Sequence, residues 1–99
     1  QLMMQYIVYA KDHTDSEALN RRMAARSAHL EGVKALKARG CFILGAALLN
    51  EQGSMIGSTM VLQFETQSDF DAWYAAEPYI TGNVWGNIEI HPVKVAVIE

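Results

Sequence analysis

The sequence holds one cysteine, Cys41, among 99 residues. A lone cysteine cannot close an internal disulfide, so a reducing compartment, the cytoplasm, is the expected home. Proline is almost as scarce. Pro78 stops a helix, and Pro92 argues that its strand lies at a sheet edge or carries a bulge. Charge is sparse: 19% of residues are charged and the net charge is -3. The basic groupings are Arg21-Arg22 with Arg26, and Lys34, Lys37 and Arg39. Neither has the interleaved aromatics of a nucleic-acid surface. The second falls in the last turns of a helix, where cations offset the dipole. No apolar run approaches the roughly 20 residues of a membrane span. Neither nucleic acid nor a membrane is therefore an expected partner. The start, Gln1-Leu2-Met3-Met4, lacks the charged leader of a signal peptide, and residues 1–3 read as a remnant ahead of the native start. No phosphate-cradling glycine loop or G-x-S-x-G elbow occurs, and His13, His29 and His91 do not have metal-ligand spacing. No metal and no cofactor is expected.

What remains is a globular composition, 51% apolar, of a length that fits one domain over residues 1–99. "MMQYIVYAK", residues 3–11, is aromatic and β-branched and reads as a strand. Asp15 or Ser16 then caps a helix over residues 16–39. A break is expected near Arg26-Ser27, and Gly40 stands in the stop position. "CFILGAALLN", residues 41–50, reads as a second strand with a bulge at Gly45. Residues 58–65 form a third strand. Thr66 to Ser68 cap a short helix over residues 69–76, and residues 78–86 are irregular with one helical turn. The last strand covers residues 87–99. The order β-α-β-β-α-β predicts an α+β ferredoxin-like sandwich: a four-stranded antiparallel sheet with its helices on one face. Ile7, Val8, Val33, Leu36, Leu44, Val61 and Leu62 are its expected core. Trp73 joins the core, and Trp85 packs in the core or at a pocket rim.

With helices on one face, the other face should be wet and the strands should alternate. They do not. In the second strand one parity reads Phe42, Leu44, Ala46, Leu48 and the other Cys41, Ile43, Gly45, Ala47, Leu49. Both faces are apolar, and the loops look too short to cover the second. A homodimer packed through the sheet face is the expected solution.

The segments "YIVYAKD", "RSAHL", "LGA", "GST", "FDAWYAAEPY" and "HPVKV", in that order from Met4 to about Val97, resemble the YciI-like (YCII-related) proteins. The resemblance implies a dimeric ferredoxin-like α/β barrel, similar to muconolactone isomerases, with an active site built on a histidine and an acidic residue. Some members of that family are implicated in dehydrochlorination of hydroxylated aromatics. The family histidine falls on His29. The family's D-P-Y reads Glu77-Pro78-Tyr79 here, one methylene longer at the acid. Ala46 and Ser27 stand where the family often has proline.

His29 shares a helical stripe with Val33 and Leu36, and a histidine so placed is more often a satisfied core residue than a functional one. Its chemistry nevertheless suits proton transfer at neutral pH, and Glu77 is the candidate to orient it. Ser58, Tyr79, Tyr6 and Arg26 are the candidate substrate-binding residues, Arg26 for an anionic group; each has an ordinary reading as turn, core or solvated residue. Three functions stay open. The first is a cofactor-free enzyme carrying out isomerisation or elimination on a small, aromatic or lactone substrate. The second is a small-metabolite binding or regulatory module, and the third a structural interaction domain.

Overall fold

The computed structural model describes residues 3–99; Gln1 and Leu2, part of the suspected remnant, lie outside the described residues. Strand β1 (Met4–Asp12) leads into helix α1 (Ala18–Ala38), then β2 (Phe42–Leu49), β3 (Met55–Phe64), α2 (Gln67–Ala76), the single turn α3 (Pro78–Thr81) and β4 (Trp85–Val93). The strands form one sheet in the order β2-β3-β1-β4, and every neighbouring pair is antiparallel. This is the ferredoxin-like arrangement.

Helix α1 is continuous, and Ser27 starts no second segment. Its buried positions, Ala18, Arg22, His29 and Leu36, recur at four and seven residues. That keeps them on one face for the helix's whole length. The helix begins after Glu17, with no side-chain cap. Asp15 is drawn elsewhere: its carboxylate accepts from the Glu17 backbone N–H and pairs with Arg21 at 2.7 Å. Gly40 ends the helix in the left-handed region, at φ 74°. The Gly40 N–H bonds Lys37 O, and the Cys41 N–H bonds Leu36 O at 2.8 Å, which is a Schellman stop.

The bulge in β2 lies between Phe42 and Leu44, ahead of Gly45, which pairs in register with Met60. Strand β3 starts three residues earlier than its β-branched run suggests. The preceding loop is closed by Asn50, whose side-chain oxygen accepts from the Gln52 and Ser54 N–H groups. Strand β4 starts at Trp85 and stops at Val93, opposite Gln5, where β1 begins; residues 94–99 are not strand. Pro92 sits on this edge strand, where a missing N–H disrupts no inner ladder.

The core lies between the sheet and its helices: Val8, Ala10, Met60, Leu62 and Phe64 from the strands, with Leu36, Trp73, Tyr79 and Trp85 above them. Of the expected core, Val8, Leu36, Val61 and Leu62 are buried, Ile7 and Val33 are half-buried, and Leu44 is 48% exposed. Ile7, Leu44 and Val61 meet in register on the sheet face that carries no helix. Their apolar character marks the second face, and in the single chain that face is open.

Candidate functional site

On the helix-covered face of β2 the residues are small. Gly45 and Ala47 pair with Met60 and Ser58. A Cβ at Gly45 would stand 3.0 Å from the Phe42 ring. Little side chain rises from β2 into the space beneath α1. A cavity of about 220 Å³ remains, walled by Arg22, Arg26, His29 and Val33 of α1, by Ser58 and Met60 of β3, and by Tyr79.

His29 is 8% exposed and Glu77 4%. The His29 Nδ1 lies 2.8 Å from Glu77 Oε2. The same oxygen accepts the Tyr79 backbone N–H at 2.8 Å, so Glu77 also caps α3. An ionised carboxylate only accepts, so a neutral imidazole paired with one carries its proton on Nδ1 and its free lone pair on Nε2. Nε2 bonds none of the described residues, and His29 lines the cavity. The imidazole stacks on the Tyr79 ring at 4.0 Å and 12°. Pro78 begins α3 immediately after Glu77. Its fixed φ holds the turn that carries both the acid and the stacking ring. The extra methylene of glutamate thus reaches the histidine.

A second polar group at the cavity centres on Arg22, which was not among the candidate site residues. Arg22, 2% exposed, donates from Nη1 to both Asp12 carboxylate oxygens at 3.0 and 3.1 Å, and from Nη2 to Ser58 Oγ at 2.9 Å. Trp85 Nε1 also donates to Ser58 Oγ, at 3.2 Å. Burial pushes the Asp12 carboxyl above its ordinary 3.8, while the Arg22 charge and hydrogen bonds pull it down. The Arg22 guanidinium carbon lies 4.6 Å from the centre of the Tyr79 ring. Arg22 and His29 are seven residues apart, about 10.5 Å of helix rise. Both groups pack against the one Tyr79 ring. The signal in the sequence was that seven-residue step: Arg22 lies on the His29 stripe, although it looks like half of an exposed Arg-Arg pair.

Arg26, His29, Ser58 and Tyr79 thus share one cavity, with Glu77 hydrogen-bonded to His29. Tyr6 does not line it. Its ring packs on Phe70 at 4.7 Å, and its hydroxyl reaches Gln67 Oε1 at 3.3 Å. It shares the helix face with Leu62, but at the end of the sheet where α2 begins. Trp85 is buried and bound to Ser58. His13 bonds Asn83 at 3.0 Å, and His91 stands exposed beside Glu89. Among the described residues no three His, Cys, Asp or Glu side chains gather to hold a metal. Cys41 is buried. Among the described residues no helix is long and apolar enough to cross a membrane.

Residues 4–94 match the YCII-related domain family. The protein YciI of Escherichia coli is 31% identical over 97 residues, covering 92% of this chain and 97% of that one. Among solved structures, 5-chloro-2-hydroxyhydroquinone dehydrochlorinase of Burkholderia phenoliruptrix, in complex with 2,5-dihydroxybenzoquinone, superposes with a TM-score of 0.78 at 20% identity, over 94% of this chain and 96% of that one. A dimeric ferredoxin-like protein of unknown function from a Jannaschia species gives a TM-score of 0.50 at 16% identity, over 95% of this chain and all of that one.

Proposed function

The chain belongs to the YCII-related domain family, and on that footing we propose that it is a cofactor-free enzyme in which His29 moves a proton on a small substrate bound in the cavity. One observation carries the reading. His29 has Nδ1 held by a buried carboxylate at 2.8 Å, leaving Nε2 unpartnered on a residue that lines a cavity. That is the geometry of an oriented general base. Nε2 would take a proton from a substrate carbon. In an elimination the C–H electron pair becomes a double bond, and a halide leaves with its own bonding pair. In an isomerisation the imidazolium returns the proton at another carbon. Glu77 would hold the tautomer and stabilise the imidazolium. Tyr79 would fix the ring plane by stacking, and Ser58 and Arg26 would bind the substrate. The dehydrochlorinase among the structural neighbours acts on a hydroxylated chloroaromatic, which makes elimination the first reaction class to try.

The test is a screen of lactones and halogenated phenols with the protein and a His29→Ala variant. Turnover that depends on His29 supports the reading. Turnover untouched by the substitution refutes it. Ligand-dependent thermal shifts with no turnover across the screen would instead leave a metabolite-binding module.

We propose in addition that two copies pack through the open sheet face. Tyr9 and Leu44 are 39% and 48% exposed there in the single chain, and one structural neighbour is described as dimeric. A reducing cytoplasm fits the buried, unpaired Cys41.

A further inference from the structure

Apart from the His29 Nε2 lone pair, Ser58 and Arg26 offer the cavity donors only. Ser58 Oγ accepts from Arg22 Nη2 at 2.9 Å and from Trp85 Nε1 at 3.2 Å. Guanidinium and indole N–H groups only donate, so both lone pairs of the hydroxyl are taken. What remains is its own proton, which goes to none of the described residues. Arg26 also lines the cavity, half-buried, and among the described residues its one side-chain partner is the Met55 sulfur at 3.3 Å. Among the described residues no carboxylate stands within ion-pair distance of Arg26. Two arginines line the cavity and no aspartate or glutamate does. Asp12 neutralises Arg22 from behind, at 3.0 Å, which leaves the Arg26 charge unmatched. Thr59, also at the cavity, belongs to the other face of β3, and its hydroxyl donates to Val8 O. The large side chains that complete the lining, Leu30, Val33, Phe42 and Met60, are apolar.

We infer that the cavity selects a singly charged oxyanion (a carboxylate, phenolate or enolate) carried on a small apolar body. The oxyanion accepts from the Ser58 hydroxyl and faces Arg26, and the apolar body lies against Val33, Phe42 and Met60 beneath His29. Asp12 and Arg22 are positioning residues in this scheme. Asp12 holds Arg22, and Arg22 together with Trp85 fills the acceptor sites of Ser58, which commits its hydroxyl to donation. A charge-assisted bond to such a committed donor is stronger than a neutral one. A neutral carbonyl compound that becomes an enolate as His29 removes its α-proton would have the new oxyanion held by the same two donors. The inference rests on the cavity being the ligand site, and it deepens the proposed function by naming what binds.

The experiment titrates isotope-labelled protein with benzoate, benzamide and benzylammonium, three probes of similar size that differ in charge. Benzoate is expected to give saturable shifts at Ser58, Arg26 and His29, and to bind at least roughly tenfold more tightly than benzamide, the scale of one charge-assisted hydrogen bond. Arg26→Gln, at a residue whose one side-chain partner is a thioether, should weaken benzoate by roughly that factor and leave benzamide unchanged. Equal binding of benzoate and benzamide, preference for benzylammonium, no saturable response to benzoate, or indifference to Arg26→Gln would each overturn the inference. None of these outcomes depends on turnover. Benzoate binding in a protein that turns nothing over would sink only the catalytic proposal. Turnover of neutral substrates without benzoate binding would sink only this one.

Discussion

At the scale of the residue, the site depends on a nitrogen that the protein leaves unbonded. Glu77 accepts from His29 Nδ1 and from the Tyr79 N–H, so the neutral imidazole should be the Nδ1–H tautomer with a basic Nε2. Nitrogen NMR of labelled histidine should show the protonated nitrogen of His29 to be Nδ1, and Glu77→Ala should lose that preference. A wild-type spectrum with the proton on Nε2 would contradict the dyad. Asp12 gives a separate check. Burial raises its carboxyl pKa above 3.8 despite Arg22. As pH rises through 3.8, the unfolded chain releases this proton before the folded one does. The native state then binds more protons, so Asp12's contribution to stability falls with rising pH across that window. A carboxyl-carbon titration of Asp12 should have its midpoint above 3.8, and a midpoint at or below it would show that Arg22 outweighs burial.

At the scale of the element, α1 aligns both polar groups with the cavity, and its glycines separate two physical effects. Gly32 lies inside the helix, and a Cβ there would meet nothing within 4 Å. Gly32→Ala should therefore stabilise the fold by roughly 0.5–1 kcal/mol through helix propensity and a less mobile unfolded chain. Gly40→Ala meets nothing either, but its φ is 74°, and it should cost roughly 1–2 kcal/mol. Urea unfolding of both variants measures the contrast, and shifts of the same sign would contradict it. The same helix shows what a sequence can and cannot disclose. Its span, its Gly40 stop and the His29 stripe follow from local spacing, and the order of elements fixes the sandwich. The Arg22–Asp12 pair does not follow, because a buried charge is recognisable only through a partner brought up by the fold. Ser58 was legible as a polar strand residue. That both its lone pairs are occupied depends on Trp85, 27 positions away. Tyr6 was misplaced because face parity tells which side of a sheet a residue occupies and says nothing of how far along it the cavity lies. Leu44 was misplaced because an apolar residue signals burial without saying whether its own chain supplies the cover.

At the scale of the whole molecule, the sheet has one covered face and one bare one. The bare face joins Ile7 and Tyr9 of β1 to Val61 of β3 and to Leu44 and Ala46 of β2, in consecutive registers. The two edges of the sheet differ as well. Strand β4 carries Glu89, His91 and Pro92, the charges and proline that discourage edge pairing, whereas β2 has no charge and no proline from Phe42 to Leu49. An apolar face continuous with an unprotected apolar edge is the surface that a second copy would cover. Leu44 makes the decisive test because it contributes little to the isolated chain, being 48% exposed. An aspartate there stays solvated in a monomer, but in a sheet-to-sheet dimer its charge is buried without a partner, at a cost of several kcal/mol. Wild-type protein should scatter light at twice the mass of one chain at micromolar concentration. Leu44→Asp should scatter as a single chain and keep the same circular dichroism. A wild-type monomer, or a Leu44→Asp variant that remains dimeric, would show that the bare face is not where two copies meet.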